Sequence, residues 1–445
     1  MGDTRAVFAK RGRMMGERGR AVTMRPGRQE DVLALVTPGA DLIVPSYCGE
    51  PQTVIDTLET HASDLEGVRV HQMDASRRRR YIDGAYPGRL EHVSYFLGPG
   101  SRDGYAAGTV ELVPAHFSEV PLLLRQTTKH VIVLAAASPP DQHGYFSLGT
   151  NADYVASFIG EVPFFLEANP QMPRTYGGNQ VHISQVAGWC TADYPLPEVR
   201  SAASDERDRR IAEFIAERVP DGACLQIGIG SVPNALLPTL RDHRHLGVHS
   251  ELLVDGMVDL AEAGVLTGGH KHRRARNKHV ATLCLGTRRL FDWIDDNLSV
   301  ALLPVEWVND PRVIAGEPNM ISISATSEVD LMGQAASETI AGRYWSGSGG
   351  QADFARGALY SEGGMGFLVT HATTSSGISR ITATLTPGSA VTSLKNTVDH
   401  VVTEYGVACL RGRSLSQRAD ALIRIAHPDH RDRLRRDARS AGFLH

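Results

Sequence analysis

A repeated pattern is the strongest constraint on what this chain can fold into. Residues 39–58 read GADLIVPSYCGEPQTVIDTL, and residues 222–240 read GACLQIGIGSVPNALLPTL. Both run Gly-Ala, a short apolar segment, a turn containing glycine, and then a proline. From that proline both continue P-x-x-[VL]-[IL]-x-T-L, with Pro51 matching Pro233 and Leu58 matching Leu240. Further on, Gly67-Val68 resembles Gly247-Val248, which sets His71 opposite Glu251. An apolar strand, a glycine turn and a helix opening near proline form one α/β unit, since proline costs nothing in the first turn of a helix. Two copies of the unit predict two α/β halves of similar topology.

The remaining periodicity agrees. Val131 to Ala135, Ala281 to Leu285, Val300 to Val305 and Phe367 to Val369 are short apolar runs, as in strands buried on both faces. Helical patterns lie between them. Ser204-Asp205-Glu206 opens one whose apolar face is Ile211, Phe214, Ile215 and Val219. Ser414 and Gln417 form a capping box before Leu422, Ile423 and Ile425, and Pro428 interrupts that pattern. Strands alternating with helices predict mostly parallel sheets. The proline-rich stretch at Tyr194 to Pro197 and the polar run Arg200 to Asp205 place the boundary near residue 200, giving halves of 1–200 and 201–445.

The chain's 445 residues suit two such units. With 42% hydrophobic and 22% charged residues it reads as a soluble globular protein, and a net charge of −4 gives no general attraction to nucleic acid or anionic membrane. Five scattered cysteines without a C-x-x-C point to reduced thiols and a cytoplasmic setting. No apolar run is long enough to span a bilayer. The basic N-terminal run through Arg28 lacks the apolar core of a secretory signal. Met1-Gly2 starts like a myristoylation site but has Ala6 where Ser or Thr is wanted.

Two glycine-rich turns in the second half are candidate ligand cradles, Gly228-Ile229-Gly230-Ser231 and Gly347-Ser348-Gly349-Gly350-Gln351. Such turns bring backbone N–H groups to a ligand oxygen with no Cβ in the way. The first also has the spacing of a dinucleotide fingerprint, and Glu251 stands about 20 residues on, where a ribose-binding acid belongs. However, the third glycine is absent and Pro233 occupies its region. Glu251 itself lies in an apolar stretch, Gly247 to Leu253, so its carboxylate needs either a partner or a catalytic role. The histidines at 270, 272 and 279 lie among Arg273, Arg274, Arg276 and Lys278, which disfavours a cation and predicts a solvated basic loop without metal. Arg77 to Arg80 reads as a solvated face. No G-x-S-x-G elbow exists, so a serine hydrolase is disfavoured.

Taken together, the motifs resemble the acetyl-CoA hydrolase/transferase family of CoA-transferases, which includes 4-hydroxybutyrate CoA-transferases, over nearly the whole chain. The first half contributes Gly49-Glu50-Pro51, Ser138 to Gly149 and Asn169 to Thr175. The second contributes the Gly-Ile-Gly turn with Pro233, His249-Ser250-Glu251, Gly349 to Phe354, Gly377 to Arg380 and Val402 to Gly406. The resemblance implies that Glu251 is the catalytic nucleophile. It also implies that Gly228, Ile229, Gly230, Gly349 and Gly350 line the coenzyme A and oxyanion region, with Gly377 near the acyl or carboxylate site. Ser346 stands where the family has asparagine or serine. Acyl-CoA and a small carboxylic acid would be the substrates, with no resident cofactor, and a homodimer is expected. Ala187 to Cys190 and the aromatic pair Tyr344-Trp345 depart from the family pattern and bear on the substrate. Three alternatives stay open: an acyl-CoA hydrolase of the same family, an NAD-dependent oxidoreductase, and a non-catalytic CoA-binding protein.

Overall fold

The structure, a computed structural model, describes residues 25–200 and 202–444. Met1-Gly2 and most of the basic N-terminal run lie outside the described residues. The first sheet holds β1 (Asp41–Ile43), β2 (Val68–His71), β3 (Leu90–Ser94), β4 (Val110–Leu112), β5 (Ile132–Ala137), β6 (Phe164–Ala168) and β7 (Val186–Thr191). Its order is β4-β3-β2-β1-β5-β6-β7, with every pair parallel. The second sheet holds β8 (Cys224–Ile227), β9 (Gly247–Val248), β10 (Met320–Ala325), β11 (Met365–Val369), β12 (His400–Thr403) and β13 (Gly406–Cys409). Its order is β9-β8-β10-β11-β12-β13, and only the last pair is antiparallel. All six residues of β5 and all four of β8 are buried, as parallel strands covered on both faces require.

The repeat is topological as well as textual. In the first half β1 leads through a turn into α1 (Gln52–Thr60) and back to β2 on one side, while β5 pairs with β1 on the other. In the second, β8 leads through the glycine turn into a helix, Ser231–Thr239, and back to β9, while β10 flanks β8 on the far side. Pro51 precedes the first helix and Pro233 is the third residue of the other, positions where no intrahelical N–H bond is lost.

Helix caps differ from expectation in detail. The helix Glu206–Ala216 is capped by Asp205 rather than Ser204. Asp205 accepts from the Asp208 amide at 3.0 Å, and Ser204 Oγ donates instead to the Ser231 carbonyl at 2.7 Å. Ser414 and Gln417 cap Leu415–Ile425 as their spacing predicts, and Pro428 opens a further helix, Pro428–Ser440.

Two expectations about charge are overturned. Arg79 is not on a solvated face: it is 1% exposed, and its guanidinium pairs with the buried Glu50 and with Asp56. Lys271 is not on a solvated loop: it is 3% exposed, 3.2 Å from Glu317 Oε1, and donates to the Val248 carbonyl at 2.6 Å. In both stretches neighbouring residues point to opposite sides, so one cation of a run turns inward to a buried acid. Arg78, Arg273 and Arg274 remain exposed. One apolar core runs through both halves, joining Phe117, Leu148 and Phe164 to Leu225, Val248 and Leu285. Among the described residues, no helix is long and apolar enough to cross a membrane.

Candidate active site

Past β9 the chain breaks from its sheet. His249 bridges to Val280, the Ser250 amide donates to the Val280 carbonyl at 3.0 Å, and Ser250 Oγ donates to the Ile227 carbonyl at 3.3 Å. The Glu251 carbonyl accepts from the amides of Thr282 and Leu283 at 3.2 and 3.1 Å. Its backbone is therefore fixed, and its side chain enters a cavity of about 510 Å³ between the halves. The first half supplies Tyr47, Asp74, Phe96 and Arg102 to the wall; the second supplies both glycine turns.

The Glu251 carboxyl meets few donors there. Asn309 Nδ2 donates to Glu251 Oε2 at 2.9 Å, and the Gly350 amide also donates to the carboxyl. Burial outweighs both and pushes Glu251 up to about 7, with Asp353 adding like-charge repulsion. Asp353 is likewise pushed up to about 7 by burial, against hydrogen bonds from Ser118 Oγ at 2.9 Å and the Ser118 amide at 3.3 Å. The Asn309 amide reaches both acids. At neutral pH each carboxyl is poised between its two protonation states.

The glycines differ in what requires them. A Cβ on Gly350 would overlap Glu251 Oε2 and Asn309 Nδ2, so only glycine lets the turn approach the carboxyl. Gly347 lies against the Tyr95 carbonyl and Phe96, and the Gly349 carbonyl accepts from the Phe117 amide at 2.9 Å. The second turn thus docks on the first half as well as facing the cavity. Gly228 has nothing within 4 Å of a Cβ position. Gly230, at φ +134, precedes the helix Ser231–Thr239.

The structure brings Glu251, Gly228, Ile229, Ser346, Gly349 and Gly350 to one cavity. Gly230 sits just past that wall. Gly377 is elsewhere, in an exposed turn where its carbonyl accepts from His430 Nε2 at 2.9 Å. The departures from the family pattern also separate. Trp189 lies in β7 with its ring edge on Phe146, centroids 5.3 Å apart, and does not reach the cavity. Trp345 is exposed beside it, with the Arg102 guanidinium 4.1 Å above its ring and Arg102 Nε donating to its carbonyl at 2.6 Å.

Sequence reasoning missed Asn309, Asp353, Asp74 and Arg102. Asp353 lies within the Gly349–Phe354 motif, a signal that went unused, whereas nothing around Asn309 marks it. Asp74 has its carboxyl pushed up to about 7 by burial, and its Oδ1 has no hydrogen-bond partner. Tyr47 donates to that carboxyl, so it is the unpaired Oδ1 alone, on the cavity wall, that needs a donor from whatever enters.

Comparison with known proteins places this geometry. Residues 26–207 match the acetyl-CoA hydrolase/transferase N-terminal domain, and residues 286–438 match the C-terminal domain. A succinyl-CoA:cyclohexane-1-carboxylate CoA transferase of Geobacter metallireducens is 40% identical over 411 residues, covering 92% of this chain and 94% of that protein. A 4-hydroxybutyrate coenzyme A transferase of Clostridium kluyveri is 38% identical over 389 residues, covering 87% and 90%. The crystal structure of RipA from Yersinia pestis superposes with a TM-score of 0.89 at 32% identity, over 96% of this chain and 99% of that one. Fold and relatives together define an enzyme of the CoA-transferase class. The chain belongs to the acetyl-CoA hydrolase/transferase family.

Proposed function

We propose that the protein transfers coenzyme A between an acyl-CoA and a short-chain carboxylic acid, with Glu251 as nucleophile and a glutamyl-CoA thioester as intermediate. One observation carries this: a carboxyl held near neutrality opens into the inter-half cavity between two glycine turns. The carboxylate attacks the acyl-CoA carbonyl, the C–S bond breaks, and an acyl-glutamyl anhydride and CoA thiolate result. The thiolate attacks the glutamyl carbonyl, releasing the first carboxylate and leaving glutamyl-CoA. A second carboxylate attacks this thioester, again freeing thiolate. The thiolate then attacks the new acyl carbonyl, and Glu251 departs as carboxylate. Thioester energy is conserved throughout, so these steps need neither ATP nor a metal.

The chain's own groups suit each demand. Backbone amides of the two glycine turns supply donors to the developing oxyanions, worth roughly 3–4 kcal/mol each. The apolar lining from Phe96, Phe117, Leu252 and Ile323 keeps water from the anhydride and the thioester. Binding of the long CoA body offsets the strain of forming them. The five cysteines are free, which suits a cytoplasmic setting, and a homodimer is the expected assembly, for which light scattering at twice the chain's mass is the check.

Intact-mass analysis after incubation with acyl-CoA should reveal CoA attached at Glu251, and kinetics should be ping-pong. Glu251→Gln should abolish transfer by orders of magnitude while CoA still binds. Full-rate transfer by that variant would sink the mechanism. Running acyl-CoA with and without an acceptor acid separates transfer from hydrolysis by the same glutamate.

A further inference from the structure

Behind Glu251 lies a buried polar cluster that the transfer steps do not use. His249, two residues before the nucleophile, is fully buried. Its Nε2 lies 2.7 Å from the Val308 carbonyl, and its Nδ1 lies 3.6 Å from Glu317 Oε1. A carbonyl only accepts, so Nε2 carries the proton. Val308 ends a short helix, Val305–Val308, and a last-turn carbonyl has no partner within its own helix. The next residue is Asn309, whose side-chain amide donates to Glu251 Oε2. One imidazole therefore ties the segment carrying the nucleophile to the segment carrying its amide donor.

The other side of the ring is held by packing, since Nδ1 has no hydrogen-bond partner. Glu317, 2% exposed, sits 3.2 Å from Lys271 Nζ and accepts from the His272 amide at 2.8 Å, while Lys271 donates to the Val248 carbonyl. The His249 ring packs against Trp307 at 5.6 Å and Phe354 at 6.3 Å between centroids. A buried ion pair is costly to assemble, and an apolar replacement of similar volume is often no less stable. We propose that His249 is a positioning residue that sets the distance between Glu251 and Asn309 through its bond to the Val308 carbonyl, with Trp307 and Phe354 packing its ring in place.

The inference stands on Glu251 as nucleophile, so Glu251→Gln is assayed alongside. His249→Leu removes the tie to Val308, whereas His249→Gln keeps an N–H donor able to reach that carbonyl. In transfer assays with varied acyl-CoA, His249→Leu should lower kcat by about 100-fold with KM changed about twofold at most, since ~1 Å of misplacement costs that much. His249→Gln should recover most of the lost kcat. If His249→Leu does not fold, His249→Asn, too short to reach Val308, takes its place with the same expectation. Equal loss in the Gln and the Leu or Asn variants would overturn the clamp, as would a wild-type kcat without it. A fully active Glu251→Gln would instead overturn the nucleophile, and the two failures are distinct.

Discussion

Asn309 sets the balance of charge at Glu251. Its amide stabilises the ionised carboxylate, whereas burial and the neighbouring Asp353 favour the protonated form. With the carboxyl held at about 7, kcat/KM should rise with pH along an acid limb near that value, as ionised nucleophile accumulates. Asn309→Ala removes a donor to the anion and should move the limb to higher pH. Asp353→Asn removes the like charge, keeps an acceptor for Ser118, and should move it to lower pH. A pH–rate series on the three proteins checks both directions, and a common shift would show that Glu251 does not govern the limb. Stability follows the same groups. Both acids keep a proton in the folded state that the unfolded chain releases near pH 4, so their contribution to folding stability falls as pH rises from about 4 towards 7, while the buried His92 and His279, held neutral down to about 3 and 4, act in the opposite direction over the same range. Glu251 was legible because an acid in an apolar stretch demands explanation. Asn309 was not, since an uncharged amide in a short helix carries no anomaly until its distant partner is known.

The glycine turns separate two uses of the same residue. Gly350 has φ −96, which any residue adopts, so Gly350→Ala strains nothing in the backbone. Its Cβ would instead displace the Glu251 carboxyl, and kcat should fall by about 100-fold for a shift of ~1 Å, with little change in melting temperature. Gly228→Ala places its Cβ with no protein atom within 4 Å, so it should fold as the parent does and raise KM for acyl-CoA. An unchanged KM would remove that turn from the ligand's path. Other elements were readable because local rules decide them: an unbroken apolar run for β5, the repeated apolar segment before a glycine turn for β8, a capping box for Leu415–Ile425. Where a remote group competes, local rules fail. Ser204 stands outside the helix start at Asp205, its hydroxyl on the distant Ser231 carbonyl. Arg79 and Lys271 turn inward to Glu50 and Glu317, acids far from them in sequence.

The halves of the molecule are repeats in sequence but one body in packing. The first half reaches the second glycine turn at several points: the Phe117 amide on the Gly349 carbonyl, Ser118 on Asp353, and Arg102 over Trp345. Beneath these contacts a single apolar core includes Phe117 and Phe164 from one half and Leu225 and Val248 from the other. Repeat recognition identified the two sheets but could not reveal this, because the residues facing the partner half read as ordinary core of their own sheet. A shared core makes independent unfolding costly: separating the halves would bare apolar surface at about 25 cal/mol per Å². Thermal unfolding followed by calorimetry should therefore show one transition. Leu225→Ala, in β8 between β9 and β10 and 1% exposed, should lower that one transition by the equivalent of about 2–5 kcal/mol. It should not split off a separate melt of the second half. Two resolved transitions, with only one moved by Leu225→Ala, would show that the halves are separate folding units and that the cavity between them opens without disturbing either.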